Sequence, residues 1–429
     1  MTYRAAAAAI PPRSGTSVGL ANSAWARWCL YLWMLFPVVD FALRQPVVHL
    51  LGLLWDKVVL VVLAIIALGR FIAGHRPQWF PWQRYAGWFI LFGMGLMFAG
   101  LVQPVIAVQG YRIDVYYILY TFLFPFLIAP QDVPRLLHLG AMVAMLVGIH
   151  GILQYLLPVP IPGGWVDASE HVRTRVFSVL QSPNELGAYM ALSTPLMFGL
   201  ALAERDRRRR WLYAAGTPLC MVTLLFTSTR GAWVALAVAV VIMAVRFERR
   251  LLLVLVVLAV VAVFLPPIHH RIADLLSPVY WIKSSESGRV FKWITAYDRM
   301  STNPLFGVGV GNFGGAVSSL YKSGIYSDNY YAKTLAETGL VGLTLFVAMH
   351  LQLMRDLFRG PLRFARGRDR YVVIGGVTGL IAVLIHNGME NVFEFAPMAV
   401  AYFTYAMLLL IWASAWQERE EVPDGAPEA

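Results

Sequence analysis

The sequence predicts an all-α fold, a polytopic membrane helix bundle with about twelve transmembrane helices, and three observations predict it. Only 14% of the 429 residues are charged, whereas soluble domains carry about 25%. Mean hydropathy is +0.62. Apolar runs of about 20 residues, the length that crosses a bilayer, recur along the chain between short basic connectors. Fourteen Trp and nineteen Tyr suit aromatic belts at the two interfaces.

In chain order, residues 1–24 read as a cytoplasmic tail. The alanines at 5–9 are too short for a signal-peptide core, and Pro11, Pro12 and Arg13 follow them. Helices are expected near 25–43, 58–74, 85–106, 113–130, 135–157, 184–203, 211–227, 231–246, 250–266, 330–354, 371–389 and 394–416. The transmembrane domain thus covers 25–416, and the acidic stretch 417–429 reads as a second cytoplasmic tail. Basic connectors at 70–84, 205–210, 246–250 and 355–370 all fall on one side if both termini are cytoplasmic. Lys and Arg concentrate in cytoplasmic loops, so topology accounts for the net charge of +11 and no nucleic-acid partner is needed. Cys29 and Cys220 lie inside expected spans and read as small buried apolar residues. No 20–50-residue repeat points to a solenoid, while an inverted repeat of the transporter kind stays open.

The opposite, extracytoplasmic side receives a medium loop at 158–183 and a long one at 267–329. A connection that long is far above the usual 2–8 residues between bundle helices and suggests a functional insertion. Its middle reads as a short amphipathic helix: Val290, Trp293, Ile294 and Tyr297 share one face, and Arg289, Lys292 and Arg299 the other. Such a helix either lies on the membrane or packs on the bundle.

Arginines on this outer side break the loop bias and need partners. Arg230, in Ser228-Thr229-Arg230-Gly231-Ala232-Trp233, stands where one helix ends and the next begins. A planar fork beside free helix N–H groups suits a phosphate or diphosphate; the alternative is an interfacial arginine reaching to head groups. Arg173 and Arg175 precede a helix start that Ser182 or Asn184 could cap, and form either a second anion site or a structural loop. The stretch Asn303-Pro304-Leu305-Phe306-Gly307-Val308-Gly309-Val310-Gly311-Asn312-Phe313 lacks the Lys-Ser/Thr of a nucleotide loop, so tight turns and close packing explain it better.

Asp328-Asn329 opens the next helix, followed by Gly339 and Gly342. Asp328 is either a helix cap or an ionised carboxylate able to accept a proton from an attacking hydroxyl. Glu337, two turns into an apolar helix, is expensive unless it contacts an Arg or Lys of the site. His386 and Glu390, one turn apart with Asn387, Asn391 and Glu394 nearby, form a polar stripe that either binds sugar hydroxyls or joins helices. No metal-ligand cluster has the usual spacing, since His269 and His270 are adjacent.

Taken together, the run from Arg175 through Gly187, the turn at Arg230, Gly288-Arg289 with Trp293, the 303–309 stretch and Asp328-Asn329 with Gly339 and Gly342 resemble the O-antigen ligase and O-antigen polymerase superfamily of bacterial membrane glycosyltransferases. The resemblance covers roughly residues 160–345, and the remainder by hydropathy only. It implies an enzyme of the cytoplasmic membrane whose active site faces outward. Its donor would be an undecaprenyl-diphosphate-linked glycan, and transfer would invert the anomeric centre without metal or cofactor. Arg230 and Arg289 would hold the diphosphate and Asp328 would act on the acceptor, making these three the catalytic candidates. Arg173, Arg175, Asn184, Lys292, Asn329, Glu337, His386 and Glu390 are the substrate-binding candidates. Ligases that use lipid A–core as acceptor carry His where this chain has Asp328, so the resemblance leans toward polymerisation of repeat units in surface polysaccharide synthesis. The alternatives are the ligase itself and, from another class, a transporter of lipid-linked sugar. Expected partners are the lipid-linked glycan, an acceptor glycan or lipid A–core, membrane lipids and polysaccharide assembly proteins.

Overall fold

The computed structural model describes residues 23–100, 102–160, 174–247, 249, 252–253 and 278–421. Most of both expected tails, the expected span at 250–266, Arg173, and His269 with His270 lie outside the described residues. Among those described there are helices and connecting segments but no strand. The helices are α1 (Ala24–Met34), α2 (Phe36–Leu43), α3 (His49–Ile72), α4 (Pro81–Ala99), α5 (Pro104–Leu127), α6 (Val133–Leu156), α7 (Pro183–Ala203), α8 (Arg207–Phe226), α9 (Arg230–Phe247), α10 (Pro278–Glu286), α11 (Arg289–Ser301), α12 (Ala316–Leu320), α13 (Tyr330–Arg359), α14 (Pro361–Phe364), α15 (Asp369–His386) and α16 (Ala396–Glu421).

Seven segments of the described residues are long and apolar enough to cross a bilayer: Leu50–Ile72, Pro130–Leu156, Pro183–Ala203, Arg230–Phe247, Tyr330–Phe364, Asp369–His386 and Ala396–Gln417. The pair α1 and α2 would make an eighth, but it bends by 82° where a single span at 25–43 was expected. Pro37 sits in the first turn of α2 and has no N–H with which to continue the α1 ladder across the bend. Three expected spans fall on α4, α5 and α8, which carry polar residues within them: Gln83 and Arg84, then Gln109, Arg112 and Asp114, then four arginines at 207–210. The chain is an all-α polytopic membrane protein; seven or eight helices of spanning character lie among the described residues, where twelve were expected of the whole chain.

The centre of the bundle is α7, α15 and α16. All are buried over most of their length, as helices that are apolar all round must be. Gly375 and Gly379, four residues apart on α15, bring its backbone against Pro195 and Leu192 of α7, where any side chain would collide with their carbonyls. Close backbone approach through small residues is the usual means of helix association in lipid, where apolar burial supplies little. Cys29 and Cys220 are both buried and free, as expected of small apolar residues.

Helix α13 is broken at Gly339, whose φ of 66° and ψ of −166° only glycine adopts readily. A Cβ there would also overlap the carbonyl of Leu305. The 303–309 stretch fills the break. Val308 and Gly309 donate to the carbonyls of Ala336 and Glu337, both at 2.9 Å, while Leu340 and Val341 donate to those of Pro304 and Leu305. Both interrupted ladders are thereby satisfied, which a buried helix break requires. Close packing is therefore the role of this glycine-rich stretch.

Candidate active site

Five helix ends meet at one face: the starts of α7, α9 and α13 and the ends of α8 and α15. The basic connectors at 205–210 and 355–370 join the other ends of α7, α8, α13 and α15. The site is thus at the end of the bundle away from those connectors.

The turn from α8 to α9 is held from below. Ser228 takes a left-handed φ of 54°, and Thr227 Oγ1 accepts the Thr229 N–H at 3.2 Å. Thr229 Oγ1 donates to the Pro183 carbonyl at 3.0 Å and lies 3.2 Å from Asn184 Oδ1, tying the turn to the head of α7. Ser182 caps α7 by accepting from Glu185 N, leaving the Asn184 side chain free for the site. Arg175 Nε donates to the Thr227 carbonyl and its Nη2 to Asn184 Oδ1, both at 3.0 Å. Asn184 Nδ2 in turn donates to Glu390 Oε2. A guanidinium, an amide and a carboxylate from three segments thus form one chain, and here the arginine's contacts are to the protein's own groups.

Glu390 is 3% exposed. Burial first, then the nearby Asp328 charge, hold its carboxyl above the usual carboxylate range, against the Asn391 N–H, Arg289 and Asn184. Tyr326 meets the same carboxyl through its hydroxyl, and burial pushes that phenol well up. Arg289, the first residue of α11, is near enough for its charge to act on both Glu390 and His386. One turn along, Lys292 Nζ donates to Asp328 Oδ2 at 2.6 Å.

Asp328 is not the helix cap. Asn329 caps α13, its Oδ1 accepting from Tyr331 N at 3.0 Å and Ala332 N at 3.1 Å. Asp328 has a left-handed φ of 51°, which turns its side chain away from the helix start and toward Lys292. Short polar residues tolerate this region better than most.

His386 ends α15 and is 1% exposed. Its Nδ1 has no hydrogen-bond partner among the described residues. A Cβ on Gly231 would stand 3.1 Å from its Nε2, so glycine at the head of α9 admits the imidazole. Arg230, half-buried, opens α9 between Gly231 and the anchored Thr229.

The structure therefore brings Arg175, Asn184, Arg230, Arg289, Lys292, Asp328, His386 and Glu390 to one junction. It leaves Glu337 elsewhere. That carboxylate is buried on α13, 3.2 Å from Lys333 Nζ, and accepts from Gly311 N and Phe313 N; its cation is not an arginine of the site. The Asn329 side chain is committed to capping. On α11 the expected apolar face is not the buried one: Ile294 and Tyr297 are exposed and Val290 and Trp293 half-buried, whereas Ala296 and Met300 are buried where the helix packs on α13. Sequence reasoning missed Lys333 and Asp114; the Lys333–Glu337 spacing of four in an apolar helix was the available signal.

A family model described as O-antigen ligase matches residues 215–347, from the middle of α8 to the middle of α13. The matched stretch contains Arg230, Arg289, Lys292 and Asp328. It supports the O-antigen ligase and polymerase superfamily, and with it a membrane enzyme of the glycosyl-transfer type. No curated protein matches the chain.

Proposed function

We propose, starting from the superfamily that this match supports, that the protein transfers glycan from undecaprenyl diphosphate at the outer face of the bacterial cytoplasmic membrane, most simply as a polymerase of surface-polysaccharide repeat units. One observation carries the reading: Lys292 pairs with Asp328 and the Arg289 charge acts on Glu390, beside the turn that carries Arg230, at the end of the bundle away from the connectors at 205–210 and 355–370.

In this reading the diphosphate lies at the head of α9, where Arg230 and Arg289 offer guanidinium groups and the positive end of the helix dipole favours an anion. The acceptor hydroxyl sits against Asp328, which Lys292 holds in place. Its oxygen attacks the anomeric carbon from the face opposite the leaving group, so the configuration inverts. The new C–O bond forms as the bond from the anomeric carbon to the diphosphate oxygen breaks. The hydroxyl proton passes to the Asp328 carboxylate, and undecaprenyl diphosphate departs with the electron pair against the two arginines. Preorganised cations aimed at developing charge are the strongest device available to such a site. Asn184, His386 and Glu390 border the same junction and would orient donor or acceptor.

The test is the purified protein given lipid-linked repeat units, alone and then with lipid A–core. Longer glycans on the lipid carrier indicate the polymerase; glycan on the core indicates the ligase. Formation of no product under either condition would overturn the enzymatic reading in favour of transport or a scaffold.

A further inference from the structure

Beneath the site lies a second group of charges that the reaction does not use directly. Lys333 is 2% exposed. Its Nζ lies 2.6 Å from Asp114 of α5, 3.2 Å from Glu337 and 3.5 Å from Glu394. Tyr330 donates its hydroxyl to Asp114 at 2.8 Å. One cation thus faces three buried carboxylates. Burying uncompensated charge is costly, so the excess carboxylates must be met by other donors or hold a proton.

Those other donors are backbone groups of one loop. Glu337 accepts from Gly311 N at 3.0 Å and Phe313 N at 3.1 Å. Glu394 accepts from Ala316 N at 2.8 Å. Gly314 and Gly315 press against the lysine stem, where a Cβ on Gly314 would lie 2.8 Å from Lys333 Cβ. The Gly314 carbonyl then receives Ser327 N and Ser327 Oγ, both at 2.9 Å, and Asn391 Nδ2. Ser327 immediately precedes Asp328. An unbroken set of contacts runs from Lys333 to the backbone that sets Asp328 in its left-handed conformation.

We propose that Lys333, Asp114, Glu337 and Glu394 are positioning residues: together they clamp the 311–316 loop and so fix Asp328 against Lys292. This rests on the role given to Asp328 above. Glu394 is a member of this cluster that lies outside the spanning helices and titrates. Burial pushes its carboxyl up to about 7, against the Lys333 charge and the Ala316 N–H, with Asp114 adding to the rise. The groups facing it are Lys333 and Glu337 on α13, Tyr330 at the head of that helix, Asp114 on α5, and Tyr326 from the outer loop. Proton loss as pH rises through that value adds a negative charge to a cluster already in excess, and the clamp loosens.

Hydrogen exchange of the full-length protein in lipid nanodiscs tests this without relying on turnover. Protection of the 311–316 amides, corrected for intrinsic exchange rate, should fall severalfold between pH 6 and pH 8. Glu394→Gln should shrink that step, because it stays neutral and still accepts from Ala316. Lys333→Met should lose protection at neutral pH, and Lys333→Arg should restore part of it. Turnover should follow, with kcat rather than KM carrying the pH step and Glu394→Gln flattening it. The proposal is overturned if Glu394→Gln keeps the wild-type step, if Lys333→Met protects as well as wild type, or if protection moves while kcat does not. Full activity in Asp328→Asn would instead remove the catalytic reading and leave the exchange result standing.

Discussion

Lys292 and Asp328 form an ion pair of 2.6 Å between α11 and the residue before the α13 cap, with both side chains about a quarter exposed. The carboxylate proposed to receive the acceptor proton is therefore aligned by a cation one helical turn from Arg289. It remains open to solvent, as a group that must meet a substrate has to be.

Asp328→Asn isolates the chemical role. Asparagine accommodates a left-handed backbone, so the turn should survive and the melting temperature should stay within a few degrees of wild type. Turnover should fall by about 10²- to 10⁴-fold, the usual contribution of a general base. Glycan-extension kinetics beside a thermal melt check both halves.

Asn329→Ala should show the opposite pattern at the adjacent position. It removes the cap of α13, and losing such a cap costs about 0.5–2 kcal/mol. A lowered melting temperature is expected, with Asp328→Ala failing to reproduce the capping loss. Equal stability of Asn329→Ala and wild type would return the capping assignment to Asp328.

Gly339→Ala should be more damaging than either. The backbone conformation there costs a non-glycine residue about 1–3 kcal/mol, and the new methyl would overlap the Leu305 carbonyl. Reduced yield of folded protein and a lower melting temperature are the expected readouts.

Stability should fall as pH rises. The folded-state pKa of Glu390 is raised, so its contribution is complete below the ordinary carboxylate range and is lost as pH climbs through the raised value. Glu394 acts in the same direction, up to about 7. Melting temperatures measured from pH 4 to pH 9 should decline for wild type, less for Glu390→Gln, and least for the variant with Gln at both 390 and 394.

Much of the site was legible because charge is costly next to lipid. Arg230, Arg289, His386 and Glu390 stand out in apolar surroundings, and their convergence depends only on which helix ends share a face. The cap was not legible: Asp328 and Asn329 are both good capping residues, and only the backbone angle at Asp328 decides between them. Asp114 was equally hidden, since its lysine lies 219 residues further along the chain. The break at Gly339 hinted at an irregularity, but the backbone groups that fill it come from Pro304 and Leu305. A helix-period pattern carries no trace of such long-range partners.

Binding of undecaprenyl diphosphate itself, without sugar, is the most direct test of the account. Hydrogen bonds to charged groups are worth about 1.5–3 kcal/mol, so Arg230→Ala and Arg289→Ala should each weaken affinity by about 10- to 100-fold. Arg289→Lys should not recover it, because a point charge cannot make the paired contact. Wild-type affinity in both alanine variants would contradict the claim that these guanidinium groups hold the donor.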